Sequence, residues 1–198
     1  GAALEFDTPA PEQTLKHLLA FGGFPEPFLK HSESGHRRWS GERLERLIRE
    51  DVRDLENIRD LSSMQLLADL IPERVASLLS LNSLREDLEV SHRAVTSWIE
   101  ILERMYYLFR ISPYESSRIR GLKKETKAYL WDWSQVPDEG NRLENLVASH
   151  LLKTCHFLSD TEGYKVDLFY LRDKRKQEVD FLVTIDRKPW FAVVVEQS

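Results

Sequence analysis

The sequence predicts an α+β fold: a helical N-terminal segment, a winged helix-turn-helix, and a last helix followed by an antiparallel β-meander. Three patterns carry that expectation. Apolar residues recur at three- and four-residue steps through the first half of the chain. Two short helical stretches separated by a tight turn precede a pair of β-rich runs. Three more β-rich segments close the sequence. The 198 residues hold 28 Lys+Arg against 33 Asp+Glu, with 41% hydrophobic and 31% charged residues. That balance is too apolar for a disordered chain and too charged for a low-complexity one. One cysteine excludes an internal disulfide, and Cys155 in LLKTCHFL reads as a buried, reduced thiol rather than a nucleophile. No apolar run approaches the roughly 18–20 residues that span a bilayer, and no leader opens the chain, so a cytoplasmic protein with no membrane partner is expected. A net charge of −5 argues against an all-round basic coat for nucleic acid but leaves room for local patches.

The elements follow in order. GAALEF reads as a frayed or appended end, and TPAPEQTLKHLLAF as a helix start with Pro9 and Pro11 ahead of Leu15, Leu18 and Leu19. Gly22 and Gly23 in GGFPEP punctuate a turn; the phosphate-loop pattern GxxxxGK[ST] is absent. From Ser40 to about Asp60 one amphipathic helix carries Leu44, Leu47, Ile48, Val52, Leu55 and Ile58. Ser62 and Ser63 are expected to cap the next helix, which Pro72 breaks before a short helix over residues 73–79. Ser83 with Glu86 makes a capping-box pattern, and Ser91 caps a helix that places Val95, Trp98, Ile99 and Leu102 on one face. YYLFRISPY and KAYLWDW then read as the strands of a wing. Past a break at Gly140 and Asn141, RLENLVASHLLKTC is helical and SDTEG is a turn. YKVDLFYLR, EVDFLVTID and WFAVVVEQ form the meander, joined by a charged turn at Asp173–Gln177 and a short turn containing Pro189. The expected units are residues 1–61, 62–133 and 134–198.

Two groups of side chains suggest chemistry. The outward face of the second helix offers His92, Arg93, Thr96 and Ser97, and the wing loop carries Arg118, Arg120, Lys123, Lys124 and Lys127 against Glu115 and Glu125. Both suit phosphate contact with double-stranded DNA, although Glu100 and Glu103 follow on the helix; a structural or protein-docking wing fits the same residues. In the meander, strand alternation puts Glu178 and Asp180 on one face, with Glu196 on the returning strand and Glu144 available from the helix. Carboxylates gathered in so apolar a sheet need a cation or a proton, and Mg²⁺ suits oxygen ligands of this kind. The same acids also fit solvent-exposed strand ends and a helix surface.

Several of these stretches carry a resemblance: GGFPEP, REDVRDLENI, VSHRAVTSWIEILE, SPY, KAYLWD, RLENLVASHLLK, YLRDK, EVDFLV and the strand ending VVEQS. In that order and spacing they resemble the C-terminal part of a bacterial and archaeal family of AAA+-type ATPases. That part is a domain of unknown function similar to the PD-(D/E)xK, restriction-endonuclease-like fold. The resemblance implies that Glu144, Asp180 and Glu196 are the catalytic acids, with Asp180 and Glu196 on the metal. It also implies that Ser198 stands where the family's E-x-K lysine belongs, so the site is degenerate or its end is altered. The nuclease-like unit then reads as truncated, and the ATPase domain that would bind ATP lies outside these residues. The functional expectation is a DNA-interacting accessory region of an ATPase with a vestigial metal-dependent nuclease site. A non-catalytic interaction module and an active Mg²⁺-dependent deoxyribonuclease are its rivals.

Overall fold

In a computed structural model the protein is mixed α and β: seven α-helices and a five-stranded mixed sheet among residues 12–52, 60–114, 125–172 and 177–196, which the structure describes. Helices α1 (Glu12–Phe21), α2 (Pro25–Lys30) and α3 (Glu33–Arg46) come first, and α3 runs on into π-type turns over Leu47–Val52. The helix expected from Ser40 therefore begins at Glu33, where Ser32 accepts a hydrogen bond from the Gly35 amide at 3.2 Å. Hydrophobic periodicity could not register its first turns, because ESGHRRWSGE is polar on nearly every side. Leu55, Ile58 and the rest of residues 53–59 lie outside the described residues.

Caps explain the other boundary differences. α4 (Leu61–Leu70) is capped by Asp60, whose carboxylate accepts from the Ser63 amide at 3.0 Å, not by Ser62 or Ser63. Where a helix over residues 73–79 was expected, a 3-10 turn at Ile71–Arg74 gives way to a further turn with Ala76 at φ +63°, and Leu78 bridges to Lys127. α5 (Leu81–Asp87) is capped by Ser80; Ser83 lies inside it and accepts from Arg74 at 3.2 Å. α6 (His92–Arg104) starts at Ser91 as expected, with Val95, Trp98, Ile99, Ile101 and Leu102 buried. α7 (Glu139–Glu162) is capped by Asp138, which puts Gly140 and Asn141 in its first turn. It continues through the expected SDTEG turn to Gly163, at φ +73°.

The strands are β1 (Leu108–Pro113), β2 (Lys127–Leu130), β3 (Val166–Arg172), β4 (Glu178–Ile185) and β5 (Lys188–Val193). Their order is β2-β1-β3-β4-β5. The meander is antiparallel as expected, and so is β1–β2. The β1–β2 pair and the meander join in one sheet through a parallel β1–β3 contact at Ser112–Phe169 and Pro113–Tyr170. The β4–β5 turn is Asp186–Arg187, both at positive φ, the conformation of a two-residue hairpin loop; Pro189 stands in the strand instead. A continuous apolar core runs from Leu44 and Ile48 through α4 and α6 to Ala148, Cys155, Phe181 and Val183. Burial pushes the Cys155 thiol up to about 11, in keeping with an inert core residue.

The first three helices are pinned to the 3-10 turn Trp133–Gln135 that follows β2. The buried Trp133 donates its indole N–H to the Leu18 carbonyl at 2.7 Å. Gly22, at φ +75°, and Gly23 lie so close that an added Cβ would stand 2.6 Å from Asp132 Oδ1 and from the Trp133 ring, respectively. The glycine pair is thus a point of close approach as well as a turn. His36 shares a 2.8 Å hydrogen bond with Ser134, whose hydroxyl donates to the buried Asp132. Burial depresses the Arg43 guanidinium, while Asp132 acts to restore its charge.

Candidate functional site

All four residues of β2 are buried. Lys127 and Tyr129, two apart and therefore on one side of the strand, both reach α7. Asn145 fixes that approach: it donates to the Leu130 carbonyl and accepts from the Leu130 amide, each at 2.8 Å, behaving toward β2 like a further piece of strand. Its neighbour Glu144 is thereby set over the Lys127 ammonium, with Oε1 at 3.2 Å, and accepts from the Tyr129 hydroxyl at 2.7 Å. From β4, Glu178 comes within 2.5 Å and Asp180 within 4.0 Å of the same ammonium. The second Asp180 oxygen accepts from the Val195 amide at 2.8 Å. Arg172 approaches Glu178 from the rim at 3.8 Å.

The lysine is the most enclosed member. Its side chain is 3% exposed, against 14% for Glu144, 18% for Asp180 and 27% for Glu178. The cluster is therefore a buried cation ringed by anions. Burial drags the Lys127 ammonium toward its neutral form, but hydrogen bonds and charge from Glu178 and Glu144 prevail and hold its pKa above the ordinary value. Burial raises the Glu144 carboxyl, with Asp180 adding to the rise and Tyr129 and Lys127 opposing it. Tyr129 is pushed far up by burial and then by Glu144, so its hydroxyl stays a donor.

Of the predicted acids, the structure brings Glu144 and Asp180 together and leaves Glu196 exposed past the end of β5. Among the described residues, no three His, Cys, Asp or Glu side chains are grouped so as to hold a metal ion. The side chains do not fit Mg²⁺ as arranged, because an ammonium stands where the carboxylates converge. Lys127, Tyr129 and Asn145 were missed by the sequence reading, which counted Lys127 with the wing loop. Its available signal was a lysine heading an otherwise apolar strand, two residues from a tyrosine.

The second candidate is the face of α6. His92, Arg93 and Ser97 are exposed there, while the Thr96 hydroxyl is turned back to the His92 carbonyl at 2.9 Å. Glu103 is half-buried and paired with Arg110, accepting from its side chain and from its amide at 3.2 Å, while Glu100 is exposed on the same helix. Glu86, Asp87 and Glu89 are exposed around the α5–α6 turn, with Arg74 paired to Asp87 and Arg85 to Glu86. Arg118, Arg120, Lys123 and Lys124 of the expected wing loop, and the expected charged turn at residues 173–176, lie outside the described residues. Among the described residues no helix is long and apolar enough to cross a membrane.

Two family models match the chain: the domain of unknown function DUF8612 over residues 12–136, and the domain of unknown function DUF4143 over residues 139–197. The chain is similar to two uncharacterized proteins of Methanocaldococcus jannaschii. It is 25% identical to MJ1544 over 191 residues, covering 92% of this chain and 42% of that protein. It is 27% identical to MJ1637 over 186 residues, covering 87% of this chain and 37% of that protein. It thus spans about two fifths of the length of the curated relatives it matches. No solved structure matches it.

Proposed function

The chain belongs to the family defined by the domain of unknown function DUF8612, and we propose that it is the C-terminal accessory region of an AAA+-type ATPase. In this reading it contacts DNA through a winged helix built from α5, α6 and β1–β2, and carries a restriction-endonuclease-like centre that has lost its chemistry. The observation that carries the degenerate centre is Lys127. Its ammonium supplies in place the positive charge that the gathered carboxylates need. ATP would be bound by a domain outside these residues. The DUF4143 match over residues 139–197 supports the link to an ATPase, and the exposed His92, Arg93 and Ser97 support the DNA contact. A second reading, docking of a partner protein on the same face, is favoured by the exposed acids Glu86, Glu89 and Glu100, which repel a phosphate backbone.

Fluorescence anisotropy on a labelled DNA duplex tests the first reading against the second. Binding is expected to be weak, to fall steeply as salt rises, and to fall further in Lys123→Glu/Lys124→Glu, with the salt slope reduced by about one per lost phosphate contact. The same protein is expected to leave plasmid DNA uncut in Mn²⁺. Absence of binding at low salt would hand the α6 face to the protein-docking reading, and cutting that is lost in Asp180→Ala would restore the active nuclease.

A further inference from the structure

The arginines of α3 and of the turns that continue it differ in what stands four residues before them. Arg37 bridges to Glu33 at 3.6 Å and Arg49 to Glu45 at 3.3 Å, as an exposed helix face does. Four residues before Arg43 stands Trp39, and the guanidinium lies over rings instead. Its Cζ is 4.4 Å from the centre of the Phe24 ring, at the N-cap of α2, and 5.7 Å from that of Trp39. The two rings pack together, 5.0 Å apart and inclined at 48°. Ring faces attract the charge but offer no lone pair to the five N–H groups of an arginine.

Among the described residues no carboxylate or carbonyl completes that fork. Burial works against the charge, and Asp132 offsets part of the cost from a distance while its own oxygens accept from Ser134 and Gln135. Glu26 is bridged to Lys30 at 2.7 Å, and Glu42 is exposed. Arg43 borders a cleft of about 440 Å³, lined with it by Trp39, Leu47, Arg46, Glu26 and Glu42. That volume lies in the range of small-molecule sites and admits an apolar body as well as a charged end. Stacking holds the plane of a guanidinium and leaves its edge for paired hydrogen bonds to an oxyanion.

We propose that this cleft binds a small molecule that carries a phosphate or carboxylate group on an aromatic body. The oxyanion takes the paired N–H groups of Arg43, Arg46 adds charge from the next turn, and the body lies against Trp39 and Leu47. The site stands apart from the Lys127 cluster and from the α6 face.

Titration of the full chain with phenyl phosphate and with benzoate at constant ionic strength, followed by ¹H–¹⁵N spectra, tests this. The Trp39 indole signal, identified by its loss in Trp39→Phe, is expected to shift saturably, and the tighter of the two probes tells which oxyanion the site takes. Benzyl alcohol, a similar body without the charge, binds at least about tenfold more weakly. Arg43→Lys keeps the charge but not the fork and weakens binding about tenfold; Arg43→Gln abolishes it. Thermal melts show whether these variants are folded. Should they not be, Glu42→Gln decides, since removing an acid from the rim tightens binding about twofold. No saturable shift with either anion overturns the proposal. So does binding that is equal for benzyl alcohol, unchanged in the folded Arg43 variants or, where those do not fold, unchanged in Glu42→Gln. DNA binding and metal response are separate readouts that this result leaves untouched.

Discussion

Lys127→Met is expected to lower the stability of the protein by about 3–5 kcal/mol at neutral pH, the cost of leaving a buried charge set without its counter-ion. The methionine fills much of the volume, so what is lost is charge rather than packing. Glu144, Asp180 and Glu178 then face one another with Arg172 near Glu178 alone. The pH dependence separates this cause from a packing defect. Burial already holds Glu144 above the ordinary carboxyl value of 4.5. A raised carboxyl binds its proton more tightly when folded, so its contribution is fully present below the unfolded pKa and is lost as pH rises through the folded one. Removing the ammonium raises Glu144 further, and the variant should therefore recover part of its deficit as pH is lowered toward 5. Urea denaturation of wild type and variant at pH 7 and pH 5 checks it; a deficit equal at both values would mean that electrostatics is not the cause. In the wild type, Lys127 is itself raised, so its stabilisation is fully present below the unfolded lysine pKa, neutral pH included, and is lost as pH climbs through its folded, elevated pKa.

Trp133→Ala is expected to cost a similar amount, about 3–5 kcal/mol, for a different reason. The indole is buried, it satisfies the Leu18 carbonyl, and its ring meets the chain at Gly23, where even one extra carbon would collide. Truncation opens a cavity at the junction between α1–α3 and the 3-10 turn, and orphans the carbonyl. Hydrogen exchange read by mass spectrometry should show the loss unevenly. Amides of α1–α3 exchange much faster, while those of β3–β5 keep most of their protection. Equal loss across both regions would mean that the N-terminal helices and the sheet unfold as one unit.

The helices with a strong apolar face and a serine at their start were legible in the sequence; α6 begins at Ser91 as read and buries the expected face. The meander was legible too, because two-residue alternation survives in β3, and β4 holds a continuous apolar run. What escaped reading was information held between elements. Lys127 looks like one more base of a basic loop until β2 is seen lying under α7, and Asn145 looks like a surface amide until its bonds to Leu130 are drawn. Gly22 and Gly23 carry no local mark of the tryptophan that approaches them. Glu144 and Asp180 were identified as a pair, but their shared counter-ion was not, since no spacing rule connects residues from three separate elements. Glu196, assigned with them, stays in solvent.

The parallel contact of β1 with β3 bears on the order in which the molecule assembles. β3, β4 and β5 are sequential neighbours linked by short connections and can pair early, whereas Ser112 meets Phe169 only after the intervening β2 and α7 have been looped out. Closing so long a loop is entropically costly and is repaid late, so this seam is expected to form after the folding transition state. Substitutions at the β1–β3 seam should chiefly accelerate unfolding, and those in the β3–β4 hairpin should slow folding. The strand that stitches the β1–β2 pair to the meander is thus also the point at which the two halves part first.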